Sequence, residues 1–193
     1  MRSAILFLTV LGCGAAETAP AAPSPAPSPP AAPSCAPSTD LAAVSALVGE
    51  WHGDGWVQMG PGARERFVQT EIVRCAVGGE ALLVEGLGRD AARPDRIVHQ
   101  ALAVIAFDRT ARTPRIRAYS AGRPAVDSDL TPGEGAGELV WGMDVPGGNR
   151  VRFRLQVTGD RWREVGEISI QGGPWRQFLE MNLRRVAAGG GAS

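Results

Sequence analysis

The chain contains no lysine and is poor in cysteine, histidine and tyrosine: it has 3 Cys, 2 His and 1 Tyr among 193 residues. All 20 basic residues are therefore arginine, and 20 acidic residues balance them, so the formal net charge is zero. Proteins that bind nucleic acids usually carry an excess or a stripe of positive charge. We therefore expect no nucleic-acid partner.

Motifs for common catalytic and metal sites are also missing. The sequence has no Cys-x-x-Cys or His-x-x-x-His spacing for a metal and no Gly-x-Ser-x-Gly turn for a nucleophile. The glycine-rich stretch 133–137 lacks the Lys-Ser/Thr that completes a phosphate-binding loop. We therefore expect no metal, no cofactor and no catalytic residue, and the sequence predicts a protein that is not an enzyme.

One long apolar run is present, at the N-terminus. Ala4–Leu11 follows Arg2 and is too short to span a bilayer, but it has the size of a signal-peptide core. The sequence Val10-Leu11-Gly12-Cys13 resembles the lipobox of bacterial lipoproteins, which are cleaved before the cysteine and lipidated on it. This resemblance implies a signal peptide over 1–12 and an anchor on Cys13, which would hold the protein at a membrane of the cell envelope. An ordinary secretory signal cleaved nearby is the alternative.

The next segment, 13–38, consists largely of alanine, proline and serine. It has too little apolar bulk to offset the entropy lost on folding, so we expect a disordered and extended tether. Residues 188–193 are expected to be a flexible tail, and 39–187 have the length of one domain. If Cys13 carries lipid, Cys35 and Cys75 could form a disulfide in an oxidising compartment, or they could remain free thiols with Cys75 buried.

The domain has the periodicity of β-strands. In Arg150–Thr158, apolar residues alternate strictly with polar ones, which is typical of a strand with one buried face. Short strands separated by glycine-rich turns favour an all-β fold, a closed or nearly closed antiparallel up-and-down barrel of about 8–10 strands. A short helix over Asp40–Leu47, capped by Asp40, is expected before the barrel, and 122–137 reads as a long loop. The other predicted strands are Glu50–Met59, Arg64–Ala76, Ala81–Gly88, Ile97–Phe107, Arg115–Ser120, Glu138–Met143, Arg161–Ile170 and Trp175–Val186.

The stretch GEWHGDGW, residues 49–56, resembles the first strand of lipocalin-like, or calycin, barrels. In that family the tryptophan, here Trp51, closes the floor of the barrel beside the first strand. The fuller pattern Gly49-x-Trp51-x-Gly53-x-Gly55 also resembles nitrobindin-like barrels. Gly53 and Gly55 would let the strand bend or let another backbone approach closely.

The string DRWREVGEISIQGGPWRQFLEMNLRR, residues 160–185, is similar to the closing strands of an uncharacterised family of bacterial lipocalin-like proteins. Nitrobindin-like proteins bind haem through a histidine late in the barrel. The two histidines here, His52 and His99, both lie early in the chain. This departure from the pattern argues against haem.

Polar residues on predicted inward faces form the candidate ligand-binding site. Gln69 and Glu71 share a face with Phe67 and Val73, and Glu164 shares one with Trp162. Buried carboxylates need a partner or solvent, and the sequence offers Arg117 with Tyr119 two residues later. This Arg-x-Tyr pair resembles the carboxylate clamp of intracellular fatty-acid-binding barrels, although Ile116 and Ala118 compete for the inside. The predicted site is Gln69, Glu71, Arg117, Tyr119 and Glu164.

Three functions are compatible with these patterns. The leading hypothesis is a membrane-tethered barrel that binds a small amphipathic or hydrophobic ligand. The first alternative is an envelope module with a filled barrel, in which the polar cluster fixes strand register and the outer surface meets a protein partner that the sequence does not identify. The third is an enzyme that uses the inward carboxylates.

Overall fold

A computed structural model describes residues 35–187. The predicted signal peptide, the lipidated Cys13, most of the linker and the tail lie outside the described residues. Within 35–187, no helix is long and apolar enough to cross a bilayer.

The described chain is an antiparallel barrel of eleven strands, which confirms the predicted fold class. Consecutive strands pair with each other except β6 and β7, which lie at the two ends of the sheet, and β1 also pairs with β11. The strands are β1 Gly49–Val57, β2 Glu65–Ala76, β3 Ala81–Asp90, β4 Ile97–Asp108, β5 Thr113–Ser120, β6 Val126–Asp129, β7 Thr131–Pro132, β8 Glu138–Val145, β9 Asn149–Thr158, β10 Arg161–Ser169 and β11 Trp175–Arg185.

The barrel closes incompletely where β6 meets β8. Thr131 and Pro132 of β7 pair with Val140 and Leu139, near the start of β8. Between β6 and β8 themselves, the described residues show one hydrogen bond, in which the Gly142 N–H donates to Ser128 Oγ at 3.0 Å. We call this junction the seam.

The seam explains the difference between eleven strands and the nine predicted individually. β6 and β7 lie inside 122–137, where turn-forming residues favoured a loop. They are ordered because Leu130, between them, is 1% exposed and its N–H donates to the Pro114 carbonyl at 2.8 Å. One buried leucine thus fixes a polar segment against β5, a contact that local periodicity does not reveal.

One end of the barrel is closed by the N-terminal segment. Thr39–Leu47 is a 3₁₀-helix that buries Leu41, Val44 and Leu47. The predicted cap was wrong: Ser38 stands at the N-cap, without a side-chain hydrogen bond, and Asp40 lies in the first turn. The helix begins at Thr39 because Ser38 is still extended, so Asp40 is already inside it.

Trp51 forms the floor above this helix and is completely buried. Its indole Nε1–H donates to the Leu47 carbonyl at 2.8 Å, and its ring meets the edge of Trp162 at a centroid distance of 5.6 Å. We call this the closed end. The hairpins joining β1 to β2, β3 to β4 and β10 to β11 lie at the opposite, open end.

The glycines of the first strand fit close to their neighbours. Gly49 has φ +138°, a conformation that other residues rarely adopt. A Cβ on Gly53 would lie 2.8 Å from the Leu183 Cα of β11, and one on Gly55 would lie 2.5 Å from the Phe67 ring. The glycines therefore allow close approach of β11 and of an inward aromatic ring.

Candidate ligand-binding site

Glu71 and Gln69 lie on the inner wall of β2, close to the tryptophan floor. Glu71 is paired with Trp51 across β1 and β2, and directly paired residues share a face of the sheet. Glu71 is 7% exposed and Gln69 is 1% exposed. The Gln69 Nε2–H donates to Glu71 Oε1 at 2.7 Å, so the two side chains form one polar unit inside the barrel.

Glycines of β3 make room for this unit. Gly86 is paired with Glu71 and Gly88 with Gln69. A Cβ on Gly86 would lie 2.7 Å from Glu71 Oε1, and one on Gly88 would lie 2.5 Å from Gln69 Oε1. The carboxyl and amide groups therefore occupy space that any larger residue on β3 would fill.

Glu164 is the second interior carboxyl. It follows Trp162 by two residues on β10. It lies close enough to Glu71 for the charge of Glu71 to change its pKa. Burial and, to a smaller extent, the charge of Glu71 raise the pKa of Glu164 to about 8, whereas Trp162 opposes the shift. Burial likewise raises the pKa of Glu71 to about 7 against the hydrogen bond from Gln69. The pair therefore holds at least one proton near neutral pH.

Glu164 is only half-buried by accessible surface, although protein surrounds it on all sides. The two observations agree if the side chain borders space inside the barrel. The free-energy cost of ionising Glu164 therefore depends more on the protein around the carboxyl group than on the fraction of its surface that is exposed.

Two buried polar atoms beside the acids lack a hydrogen-bond partner in the described part of the chain: Gln69 Oε1, an acceptor, and Trp162 Nε1, a donor. The indole N–H of Trp162 is near enough to Glu164 to lower its pKa but misses hydrogen-bond geometry. Buried polar groups are usually paired with protein or water. This part of the barrel thus offers one free acceptor and one free donor.

Arg117 and Tyr119 do not join this site, which corrects the expected arginine clamp. Both point outward from β5, where Ile116 and Ala118 take the inner face. The Arg117 side chain is 59% exposed and lies 3.6 Å from Asp127 of β6. Ile116 is paired with the buried Ile105, and burying isoleucine is favourable whereas burying a guanidinium is costly. The interior carboxyls are left without this arginine.

His99 is the interior residue that the sequence did not assign. It is paired with Gly88, which in turn faces Gln69, so its side chain points inward near the open end. The ring is accessible through that end, yet the barrel wall and the charge of Arg123 lower its pKa. Apolar residues on both faces of β4 hid this orientation. Within 35–187, no group of three or more His, Cys, Asp or Glu side chains is placed to hold a metal ion.

An aromatic wall on β8, β9 and β11 lies beside the strand that carries Glu164, and a groove adjoins it. Trp141 stacks on Phe153 at 4.5 Å, and Phe153 meets the edge of Phe178 at 5.9 Å. A groove of about 450 Å³ follows the seam and is lined by Ser128, Trp141 and Met143 together with Arg150 and Trp175. The groove thus connects the seam with the aromatic wall.

No protein-family model matches this sequence, and no curated protein matches it. Solved structures do resemble it. Rv2717c from M. tuberculosis is 15% identical with a TM-score of 0.62, over 78% of this chain and 99% of that one. The S-type phycobiliprotein lyase CPES from Guillardia theta is 11% identical with a TM-score of 0.53, over 74% of this chain and 90% of that one. At these identities the likeness establishes the fold, a barrel of the lipocalin-like, calycin type.

The second comparison corrects one expectation. We expected no enzymatic activity because catalytic motifs are absent from the sequence. The Guillardia theta protein is a lyase, which is an enzyme, on the same type of barrel. The expectation is therefore withdrawn, since a barrel of this fold also occurs in a lyase.

Proposed function

We propose that this protein is a lipid-anchored barrel of the cell envelope that binds a small amphipathic molecule. The polar group of the ligand would lie at Glu71, Gln69 and Glu164, and its apolar part would lie against Trp141 and Phe153. The observation that carries the proposal is the pair of unpartnered buried atoms, Gln69 Oε1 and Trp162 Nε1, beside two carboxyls.

The charges of the interior restrict the polar group of the ligand. A carboxylate or phosphate would meet two acids and no arginine from β5, and burying like charges together is costly. A neutral group with both a donor and an acceptor, such as an amide, matches the free Gln69 Oε1 and Trp162 Nε1–H. We therefore favour a neutral polar group over an anionic one.

A set of twelve-carbon amphiphiles that differ in one group tests this choice. We expect dodecanamide to displace a fluorescent apolar probe from the purified protein at lower concentration than dodecanoate does. Gly86→Val should weaken amide binding at least tenfold because its side chain fills the space at Glu71 Oε1. Arg117→Met, on the outer face, is the matched control and should bind as the wild type does.

Two results would overturn the ligand site. One is tighter binding of dodecanoate than of dodecanamide, and the other is equal binding by the Gly86→Val and Arg117→Met variants. If no amphiphile binds at all, the module with a filled barrel becomes the better reading.

The lipobox resemblance and the tether composition support the anchor. Stable membrane attachment requires more than one acyl chain or a second signal, which lipidation and acylation at one cysteine would supply. In the native host, Cys13→Ser should move the protein from the membrane fraction to the soluble fraction. A variant that remains with the membrane would show that Cys13 is not the anchor.

Acid–base chemistry on the bound molecule is the second candidate function. General acids and bases work best with pKa values near the operating pH, and burial places the pKa values of Glu71 and Glu164 at about 7 and about 8. Native mass spectrometry of protein from its own host, before and after incubation, would distinguish a retained ligand from a converted one.

A further inference from the structure

We propose that Cys35 and Cys75 form a disulfide that fastens the start of the described chain to the barrel wall. Both are free thiols in the structure. The Cys75 Sγ–H donates to the carbonyl oxygen of Cys35 at 3.0 Å, although the two residues are far apart in the chain. This contact brings the end of β2 against the residues that precede the 3₁₀-helix.

The contact brings the backbone of Cys35 close to the Cys75 sulfur. A carbonyl oxygen lies about 2.4 Å from the Cα of its own residue, so the Cα of Cys35 lies within about 5.4 Å of the Cys75 sulfur. Disulfides join residues whose Cα atoms are about 4.4–6.8 Å apart, and this contact places the two cysteines side by side. Rotation of the Cys35 side chain, whose sulfur now lies 3.9 Å from the Ala36 carbonyl oxygen, is the movement that would turn its sulfur toward Cys75.

The backbone around Cys35 is already seated on the barrel. The Ser38 N–H donates to the Gly79 carbonyl at 2.9 Å. A Cβ on Gly79 would collide with the Ala36 carbonyl oxygen, so the segment rests directly on the turn at Val77–Gly79. Because these contacts hold the two cysteines side by side before oxidation, the bond forms between them with little loss of chain entropy.

The reaction is thiol–disulfide exchange with a small or protein disulfide as oxidant. Partial burial and the neighbouring Cys35 thiol raise the pKa of Cys75 to about 11, so its thiolate is scarce. The Cys35 thiolate attacks the oxidant and forms a mixed disulfide, releasing one thiolate. Cys75 then loses its proton, attacks the Cys35 sulfur and expels the second thiolate. Two protein thiols are oxidised, and one oxidant disulfide is reduced to two thiols.

The bond would secure the closing segment of the barrel. The helix Thr39–Leu47 begins a few residues after Cys35 and carries three buried residues under Trp51. A crosslink that closes a loop of this length mainly restricts the unfolded chain. We expect oxidation to raise the melting temperature on the order of 10 °C.

The test uses the full chain, reduced and then equilibrated with oxidised glutathione. Trypsin cleaves after Arg74, so Cys75 begins its own peptide, and mass spectrometry without reduction should find this peptide linked to residues 3–64. Because 3–64 contains both Cys13 and Cys35, the two serine variants below identify the linked cysteine. Dithiothreitol should release the link and reverse the rise in melting temperature. Cys13→Ser should keep both the link and the thermal shift, and Cys35→Ser should lose both.

Three results would overturn the proposal. Cys35 and Cys75 could both react fully with maleimide after equilibration with oxidant, or Cys75 could be linked to Cys13 instead. An equal thermal shift in the Cys35→Ser variant would also contradict it, because that variant cannot form this bond.

Discussion

The guanidinium of Arg185 covers the indole ring of Trp51, 4.0 Å from the ring centre. The same group donates to the Ala46 carbonyl at 2.8 Å and to the Val48 carbonyl. One side chain of the last strand therefore holds the floor tryptophan and the end of the 3₁₀-helix together. The two ends of the domain meet at the closed end of the barrel.

Replacing Arg185 should destabilise the protein. We expect Arg185→Met to lower the free energy of unfolding by about 1–3 kcal/mol, because it removes a cation–π contact and leaves helix-end carbonyls unpaired. Arg185→Lys should recover little of this loss, since lysine lacks the planar fork. Urea unfolding measures the free energy of unfolding of both variants.

Arg184→Met is the matched control. Arg184 pairs with Asp160 on the surface, and its loss should cost less than about 1 kcal/mol. Equal effects at the two positions would contradict this role of Arg185.

Trp51 should contribute more than any other floor residue. We expect Trp51→Ala to lower the free energy of unfolding by about 3–5 kcal/mol, because it leaves a cavity between the helix and Trp162. Trp51→Phe should cost less, since it keeps an aromatic ring but loses the hydrogen bond to Leu47. Chemical denaturation separates these contributions. A Trp51→Ala protein as stable as the wild type would mean that the floor does not depend on this ring.

The interior acids should make the protein less stable as pH rises. Burial raises the folded-state pKa values of Glu71 and Glu164 from 4.5 to about 7 and about 8. The stability from their protonated forms is complete below about pH 4.5 and is lost as pH rises through 7 and 8. Between pH 5.5 and 8.5 we expect a decrease of roughly 5 kcal/mol, measured by urea unfolding.

The control for this pH dependence is the double variant Glu71→Gln with Glu164→Gln. Its amides cannot ionise, so the decrease should disappear. The lowered pKa of His99 acts in the opposite direction, because a histidine that is held neutral gains stability as pH rises. The double variant should therefore show a flat or slightly rising profile. A decrease equal to that of the wild type would place the responsible groups elsewhere.

Arg117 should be almost irrelevant to stability. Its side chain is exposed and its contact with Asp127 is long, at 3.6 Å. We expect Arg117→Met to change the free energy of unfolding by less than about 0.5 kcal/mol. Thermal unfolding at neutral pH measures the effect. A loss of several kcal/mol would show that Arg117 supports the interior acids after all.

The fold could be predicted from the sequence because its signal is local. Alternation in β9 and the glycine-rich turns are visible within a few residues, and the inward faces of β2 and β10 followed from Phe67 and Trp162. Which side chains of the other strands point inward depends on pairing between strands, which the sequence does not show. Ile116 could be placed inside only by its pairing with Ile105, and His99 only by its pairing with Gly88. Leu130 likewise orders β6 and β7 through contact with β5.

Because of the seam, the barrel wall does not resist local opening equally around its circumference. Elsewhere, parting two strands breaks a ladder of backbone hydrogen bonds, as between β2 and β3. At the β6–β8 junction, the one hydrogen bond that the described residues 35–187 show between these strands runs from Gly142 to Ser128. Fluctuations of the native state should therefore concentrate there. Small molecules would then exchange between the aromatic wall and solvent through the side of the barrel, between β6 and β8.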